Sequence, residues 1–156
     1  MRPTMYRVWE RSLDYTIHND GREVHIYYDS VAPCDYCSTD PITGESTRPH
    51  CATCDGTGTQ NTTHTCDTYG VINTYISNRG FINFGQEKIN IVPEGESRLT
   101  LWLPDVLTNY HSATGPTYLD SAKSISVDGS NYYMKNYQRI GIDKLKICVV
   151  ILEKIN

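Results

Sequence analysis

Six cysteines carry most of the chemistry in this chain, and four of them come in pairs. Cys34 and Cys37 form one Cys-x-x-Cys unit and Cys51 and Cys54 a second, with 13 residues between them. A tight turn inside such a unit brings both sulfurs to one side. Two units facing each other offer four thiolates in a tetrahedron, a donor set that suits Zn²⁺. Four cysteines close the coordination shell, so the spacing predicts a structural ion, with no position kept for water or substrate. Paired cysteines also serve rubredoxin-like iron, which stays an option for the metal. His50 precedes Cys51, and His64 and Cys66 follow Cys54 closely enough to replace a ligand or form a further pair. Disulfides compete for an even number of cysteines. The paired spacing and the lack of a signal-peptide core in the first residues favour metal. Cys148 lies in an apolar run and reads as an inert core thiol.

Other reactive constellations are weak. The chain has no His-Glu-x-x-His, no P-loop and no Gly-x-Ser-x-Gly. Pro33-Cys34-Asp35-Tyr36-Cys37 matches half of a nucleobase-deaminase signature, but the His-x-Glu half is missing. The expectation is a protein that is not an enzyme. The alternative is a zinc-ribbon module for nucleic-acid binding or regulation. Charge speaks against it: net charge is -4, and the knuckles carry Asp35, Asp40, Glu45 and Asp55 against Arg48. That is the wrong sign for phosphate.

The segment between the knuckles, 38–50, has almost no apolar content, so a metal stands in for a core there. Its Asp40-Pro41-Ile42-Thr43-Gly44 reads as a turn, with the Asp side chain accepting backbone N–H groups and Gly closing it. Gly56 and Gly58 free backbone N–H groups to turn toward the second knuckle's thiolates.

The remaining chain must position this excursion. Trp9, Leu13 and Ile17 are spaced for a short amphipathic helix, although Tyr6, Val8 and Trp9 also fit an extended arm. His18–Gly21 reads as a turn, with Gly21 free to take positive φ. Residues 22–31 alternate as a strand, with Val24, Ile26 and Tyr28 on one face and His25 and Tyr27 on the other. Asn61–Thr68 reads as a polar loop. Strands are expected at 69–77, 81–84, 88–92 and 99–103, with turns at 78–80 and 93–96. A mobile excursion is expected within 105–121. Asp128-Gly129 between two alternating runs, 122–127 and 131–135, is a hairpin signal. The β-branched run 145–152 reads as a central strand buried on both faces.

Short strands separated by turns predict a mainly β fold: an antiparallel β-barrel or sandwich, with residues 1–33 and 67–156 forming the barrel domain. Residues 34–66 form the inserted, zinc-ribbon-like metal-binding hairpin. No apolar run reaches the ~18 residues needed to span a bilayer, so no membrane partner is expected. The reading is a soluble, non-secreted chain. Twelve tyrosines against two phenylalanines suit half-wet sheet faces or subunit contacts.

Two resemblances follow from these motifs. Cys51-Ala-Thr-Cys-Asp-Gly-Thr-Gly is similar to the Cys-x-x-Cys-x-Gly-x-Gly unit in the cysteine-rich domain of J-domain-type co-chaperones, as a local geometry for wrapping a metal. The broader resemblance is to neck proteins of tailed bacteriophages. Pro33-Cys-x-x-Cys, Asp40-Pro-Ile-Thr-Gly-Glu-Ser and Cys51-x-x-Cys-x-Gly-x-Gly resemble a ribbon of some phage structural proteins. Asp120-Ser-Ala-Lys-Ser-Ile-Ser-Val-Asp-Gly-Ser-Asn-Tyr-Tyr-Met-Lys-Asn-Tyr, with Cys148-Val-Val-Ile-Leu-Glu-Lys, resembles the C-terminal half of head-closure (stopper) proteins. This implies a virion protein of the head–tail connector, made in the host cytoplasm and assembled as a homo-oligomeric ring of six-fold or other symmetry. The implied partners are a portal or adaptor protein, tail proteins, and packaged DNA passing without sequence readout. The ribbon departs from the simplest stopper proteins.

Overall fold

The computed structural model describes residues 3–74, 96–109, 111–141 and 144–155. The strands expected at 81–84 and 88–92, the turn at 78–80 and most of that at 93–96 lie outside them. Six antiparallel strands close a barrel in the order β1-β2-β3-β6-β5-β4, with β4 returning to β1. They are β1 (Arg22–Pro33), β2 (Thr59–Thr74), β3 (Glu96–Trp102), β4 (Ala122–Val127), β5 (Ser130–Ile140) and β6 (Ile147–Lys154).

The barrel interior is filled. Val24 and Ile26 of β1, Leu99 and Leu101 of β3, Ile125 and Val127 of β4, and Cys148, Val150 and Leu152 of β6 form one cluster, all at most 2 % exposed. The alternate residues of β6 face outward. Ile147 and Val149 pack with Ile140, Leu13, Trp9 and Trp102, so β6 is buried on both faces as its β-branched run predicts. The outward cover is α1 (Pro3–Tyr15), which resolves the choice between helix and arm in favour of helix. Lys146 Nζ, 3.4 Å from Glu10 Oε1, ties it down.

The Asp128-Gly129 turn takes φ of 48° and 77°, the pair of left-handed residues that a type I′ two-residue hairpin requires. Gly21 differs from expectation. Its φ is -73°, and glycine is needed there for space, because a Cβ would stand 2.1 Å from the Ile17 carbonyl oxygen.

Three further expectations change. Asn61–Thr68 is strand: β2 pairs with β1 residue for residue from Pro33↔Thr59 to Arg22↔Gly70. Its threonines suit a pleated surface, but no core lies under its far end to impose an apolar alternation. The excursion between strands therefore spans 34–58. Within 105–121 the described residues of 108–116 are turns and bends, as a loop requires, but both flanks are ordered. A short helix α2 (Leu103–Val106), a bridge Leu107↔Thr117 and a 3₁₀ turn over Tyr118–Ser121 close one end of the barrel. Val106, Leu107 and Leu119 are buried there, and Thr117 and Asp120 make a capping box. Finally, β5 runs on to Ile140, with an irregularity between Met134 and Asn136.

The β1–β2 ladder overhangs the barrel. Among the described residues, β1 pairs with β4 only over Val24–Tyr28, and β2 pairs with β3 only over Gly70–Thr74. The far end of the ladder carries the cysteines.

Candidate metal centre

Cys34 follows the last residue of β1. Its N–H donates to the Gly58 carbonyl at 3.0 Å, just before β2 begins, so the ladder clamps both ends of the excursion. Inside it, the first knuckle runs into a small hairpin closed by the Thr39↔Ser46 bridge. Asp40 behaves as its sequence requires. Its Oδ1 accepts from Ile42 N (2.7 Å) and Thr43 N (3.3 Å), and Gly44, at φ 72°, donates to the Asp40 carbonyl. The second knuckle is wound tightly. Asp55 N donates to Cys51 O and Thr57 N to Cys54 O, and Asp55 and Gly56 take φ of 50° and 76°. A Cβ on Gly56 would stand 2.4 Å from the Pro49 carbonyl oxygen.

These turns bring four sulfurs together. The Sγ atoms of Cys34, Cys37, Cys51 and Cys54 all lie within 4.8 Å of one another. Cys34 and Cys51 are 3.8 Å apart, and Cys37 and Cys54 are 3.3 Å apart. A tetrahedral ion with metal–sulfur bonds of about 2.3 Å sets its sulfurs about 3.8 Å apart. The cluster can therefore hold a metal ion. Cys34, Cys51 and Cys54 are buried and Cys37 is half-buried. These cysteines are the only buried residues of the excursion with a hydrophobic character, so the sulfurs are its core.

Donors surround the sulfurs, as thiolates need. Gly58 N donates to Cys54 Sγ at 3.3 Å, which is the role its spacing predicts. Ser46 Oγ donates to Cys37 Sγ at 3.3 Å, and Gln60 Nε2 approaches Cys34 Sγ at 3.7 Å. Ser46 and Gln60 escape a reading of the sequence, because each reaches its sulfur across a strand pairing.

The titration of the thiols expresses their crowding. The Thr53 N–H, then that of Cys54, pull the Cys51 thiol down to about 6. At Cys37 the Ser46 hydroxyl favours the thiolate, but the neighbouring Cys54 and burial outweigh it and push the thiol up to about 12. A metal ion takes its sulfur ligands as thiolates, so binding at this cluster releases the protons the thiols still carry.

The other candidate ligands sit elsewhere. His50 is exposed and does not join the cluster. His64 Nε2 meets Ser30 Oγ at 2.8 Å, and its ring stacks on Tyr28. Cys66 lies 3.7 Å from the Asp105 carbonyl. Cys148 is fully buried, and burial pushes its thiol up to about 12, which is the state of an inert core cysteine.

No protein-family model, curated protein or solved structure matches the chain.

Proposed function

We propose that this chain is a structural protein of the head-to-tail connector of a tailed bacteriophage. Copies form a ring between the portal or adaptor and the tail, and help retain packaged DNA. Each copy holds one structural Zn²⁺ on Cys34, Cys37, Cys51 and Cys54. The observation that carries this reading is the mounting of the cysteine cluster: a site with four protein sulfurs, at the tip of a two-stranded ladder rooted in a closed barrel.

Four thiolates satisfy a tetrahedral ion and leave no open position for a substrate. Such a centre fixes a shape where no apolar core is available. A protruding, rigid shape on a barrel is what a stacked assembly uses to engage its neighbour. Zinc fits the tetrahedral thiolate set without calling on redox chemistry. The barrel interior is filled with side chains, so in this reading DNA passes along the axis of the ring, outside each barrel. The acidic residues of the ribbon favour sliding over sticking.

The test combines two measurements on the purified full-length chain. Mass photometry with electron microscopy is expected to show rings. Elemental analysis is expected to give one zinc per chain and no iron absorption. A strictly monomeric protein that never associates with virions overturns the connector reading, and iron in place of zinc overturns the metal assignment.

A further inference from the structure

The overhanging ladder has two open edges among the described residues, on opposite sides. Beyond Tyr28, β1 has no β4 partner, although the 3₁₀ turn Tyr118–Ser121 packs beside that end of β1, its Tyr118 ring 4.7 Å from that of Tyr28; before Gly70, β2 has no β3 partner. Near Cys66 and Thr68 the β2 edge is covered, because Asp105 of α2 accepts from the Thr68 hydroxyl and from the Cys66 thiol. From Gln60 to Thr65 the described residues leave it open.

The direction of the backbone groups on these edges follows from the hairpin. Val127 and Ser130 flank a two-residue turn and so exchange backbone hydrogen bonds. Backbone groups alternate between the two neighbours of a strand. Val127 thus points to β5, and Val24 opposite it points to β2. The unbroken β1–β2 register carries that parity outward. It leaves Asn61, Thr63 and Thr65 of β2 with N–H and C=O groups facing away from the ladder. On the other side it leaves Asp29, Val31 and Pro33 of β1. Pro33 is an internal check: the strand residue without an N–H falls at a position where none is needed for the β1–β2 ladder.

The two edges differ in how they are guarded. Exposed strand edges are usually blunted by charge, proline or a bulge. The β1 edge has Asp29, paired with Lys123 at 2.6 Å, and Pro33. The Gln60–Thr65 run, Gln-Asn-Thr-Thr-His-Thr, has no acidic or basic residue other than His64, no proline and no glycine. Val31, on the β1 edge, is 67 % exposed.

We propose that the β2 edge, Gln60–Thr65, pairs with the β1 edge, Asp29–Pro33, of a second copy of this chain. The occupant follows from geometry. β1 and β2 run in opposite directions, so a copy rotated about an axis roughly along the ladder brings its β1 antiparallel to this β2. The contact uses two different surfaces and repeats head to tail, which is the contact type that closes a ring. The inference rests on the ring assembly proposed above and names its contact.

The test uses the full-length chain in three forms: wild type, Asn61→Pro and Thr65→Lys. Asn61→Pro removes one edge N–H and leaves the β1–β2 ladder bonds in place. Thr65→Lys keeps every backbone group and adds a guarding charge. Mass photometry is expected to show rings for wild type and loss of rings for both variants, with zinc content and monomer circular dichroism unchanged. Amide exchange at Asn61, Thr63 and Thr65 is expected to slow on the order of tenfold or more on assembly. If wild type and both variants form rings equally, this contact is wrong while the ring reading stands. If wild type is monomeric, the ring reading itself fails and this inference with it. Protection of the three amides already in the monomer, by another segment of the chain, overturns the contact. So does protection that appears only with an added protein of a different kind.

Discussion

Replacing Cys54 with serine separates the two halves of the structure. Cys54 is buried, its sulfur lies 3.3 Å from that of Cys37, and it accepts the Gly58 N–H. Structural zinc sites bind with about 10–16 kcal/mol, or about 2.5–4 kcal/mol for each of four ligands. The variant is expected to hold zinc two to three orders of magnitude more weakly. In the proposed reading the folded part of the excursion depends on that ion. The N–H groups of Asp40, Gly44, Thr47, Cys51, Asp55 and Thr57 bond only to acceptors within residues 34–58, and no aliphatic or aromatic side chain there is buried. Hydrogen exchange read residue by residue is the assay. At submicromolar free zinc these six amides are expected to lose protection, while those of Ile125, Leu101 and Val150 keep theirs. A competition titration with a chromogenic chelator gives the affinity. Unchanged zinc affinity would refute the ligand assignment. Barrel amides losing protection in step with the ribbon would refute the separation of the excursion from the barrel core.

Other perturbations test neighbouring parts. Gly56→Ala forces a Cβ toward the Pro49 carbonyl oxygen at a φ of 76°, and is expected to weaken zinc retention about tenfold, since strain at such a position costs about 1–3 kcal/mol; the same chelator competition measures it. Leu101→Ala opens the fully buried barrel core and is expected to cost about 3 kcal/mol and lower Tm by about 10 °C, with zinc stoichiometry unchanged in the folded protein. His18 joins the N-terminal helix to α2. Its Nδ1 faces the Asp14 carbonyl and carboxylate, and its Nε2 faces Asp105 Oδ2 at 2.5 Å, so both nitrogens donate only in the cation. Burial works to lower its pKa, but the Asp105 hydrogen bond and the other acceptors outweigh it and raise the value above the usual histidine range. A raised folded pKa means the contribution is complete below about pH 6.5 and is lost as pH rises through the folded value. For a side chain about a third exposed, it is worth about 0.5–1 kcal/mol. Urea unfolding at pH 5.5 and pH 9 in low salt should show that difference in wild type and lose it in His18→Ala.

What the sequence discloses depends on whether a local rule acts alone. The Asp128-Gly129 hairpin is legible because a type I′ two-residue turn needs two left-handed residues, and few dipeptides supply them. The four cysteines are legible because metal-ligand spacing is local chemistry. The β6 strand is legible from its unbroken apolar run, rich in β-branched residues. The polar half of β2 is not. Thr59–Thr65 belongs to a ladder with little beneath it, so no apolar period marks it, and pairing with β1 alone makes it a strand. The helix at the N-terminus shows its period, but the surface that selects helix over arm is assembled from Ile140, Ile147 and Val149, far along the chain. The order in 105–121 is hidden for a similar reason. Its buried residues, Val106, Leu107 and Leu119, are spaced by no helix or strand period, and their partners are inside the barrel.

With the proposed ion on the cysteine cluster, the overhang depends on metal. A two-stranded ribbon alone is marginal in water. This one is anchored at its root by Val24 and Ile26 in the barrel core, and at its tip by the Cys34 N–H to Gly58 carbonyl bond and by the Gln60 Nε2 donor 3.7 Å from Cys34 Sγ. Removing the ion releases the tip and leaves Asp29–Pro33 and Gln60–Thr65 held from one end only. Those are the segments whose edges are proposed to meet between copies. Chelation should therefore dissociate assemblies before it unfolds barrels, and restoring zinc should restore them. Assemblies that persist through complete zinc removal, with the knuckle amides exchanging freely, would place the subunit contact somewhere other than the overhang.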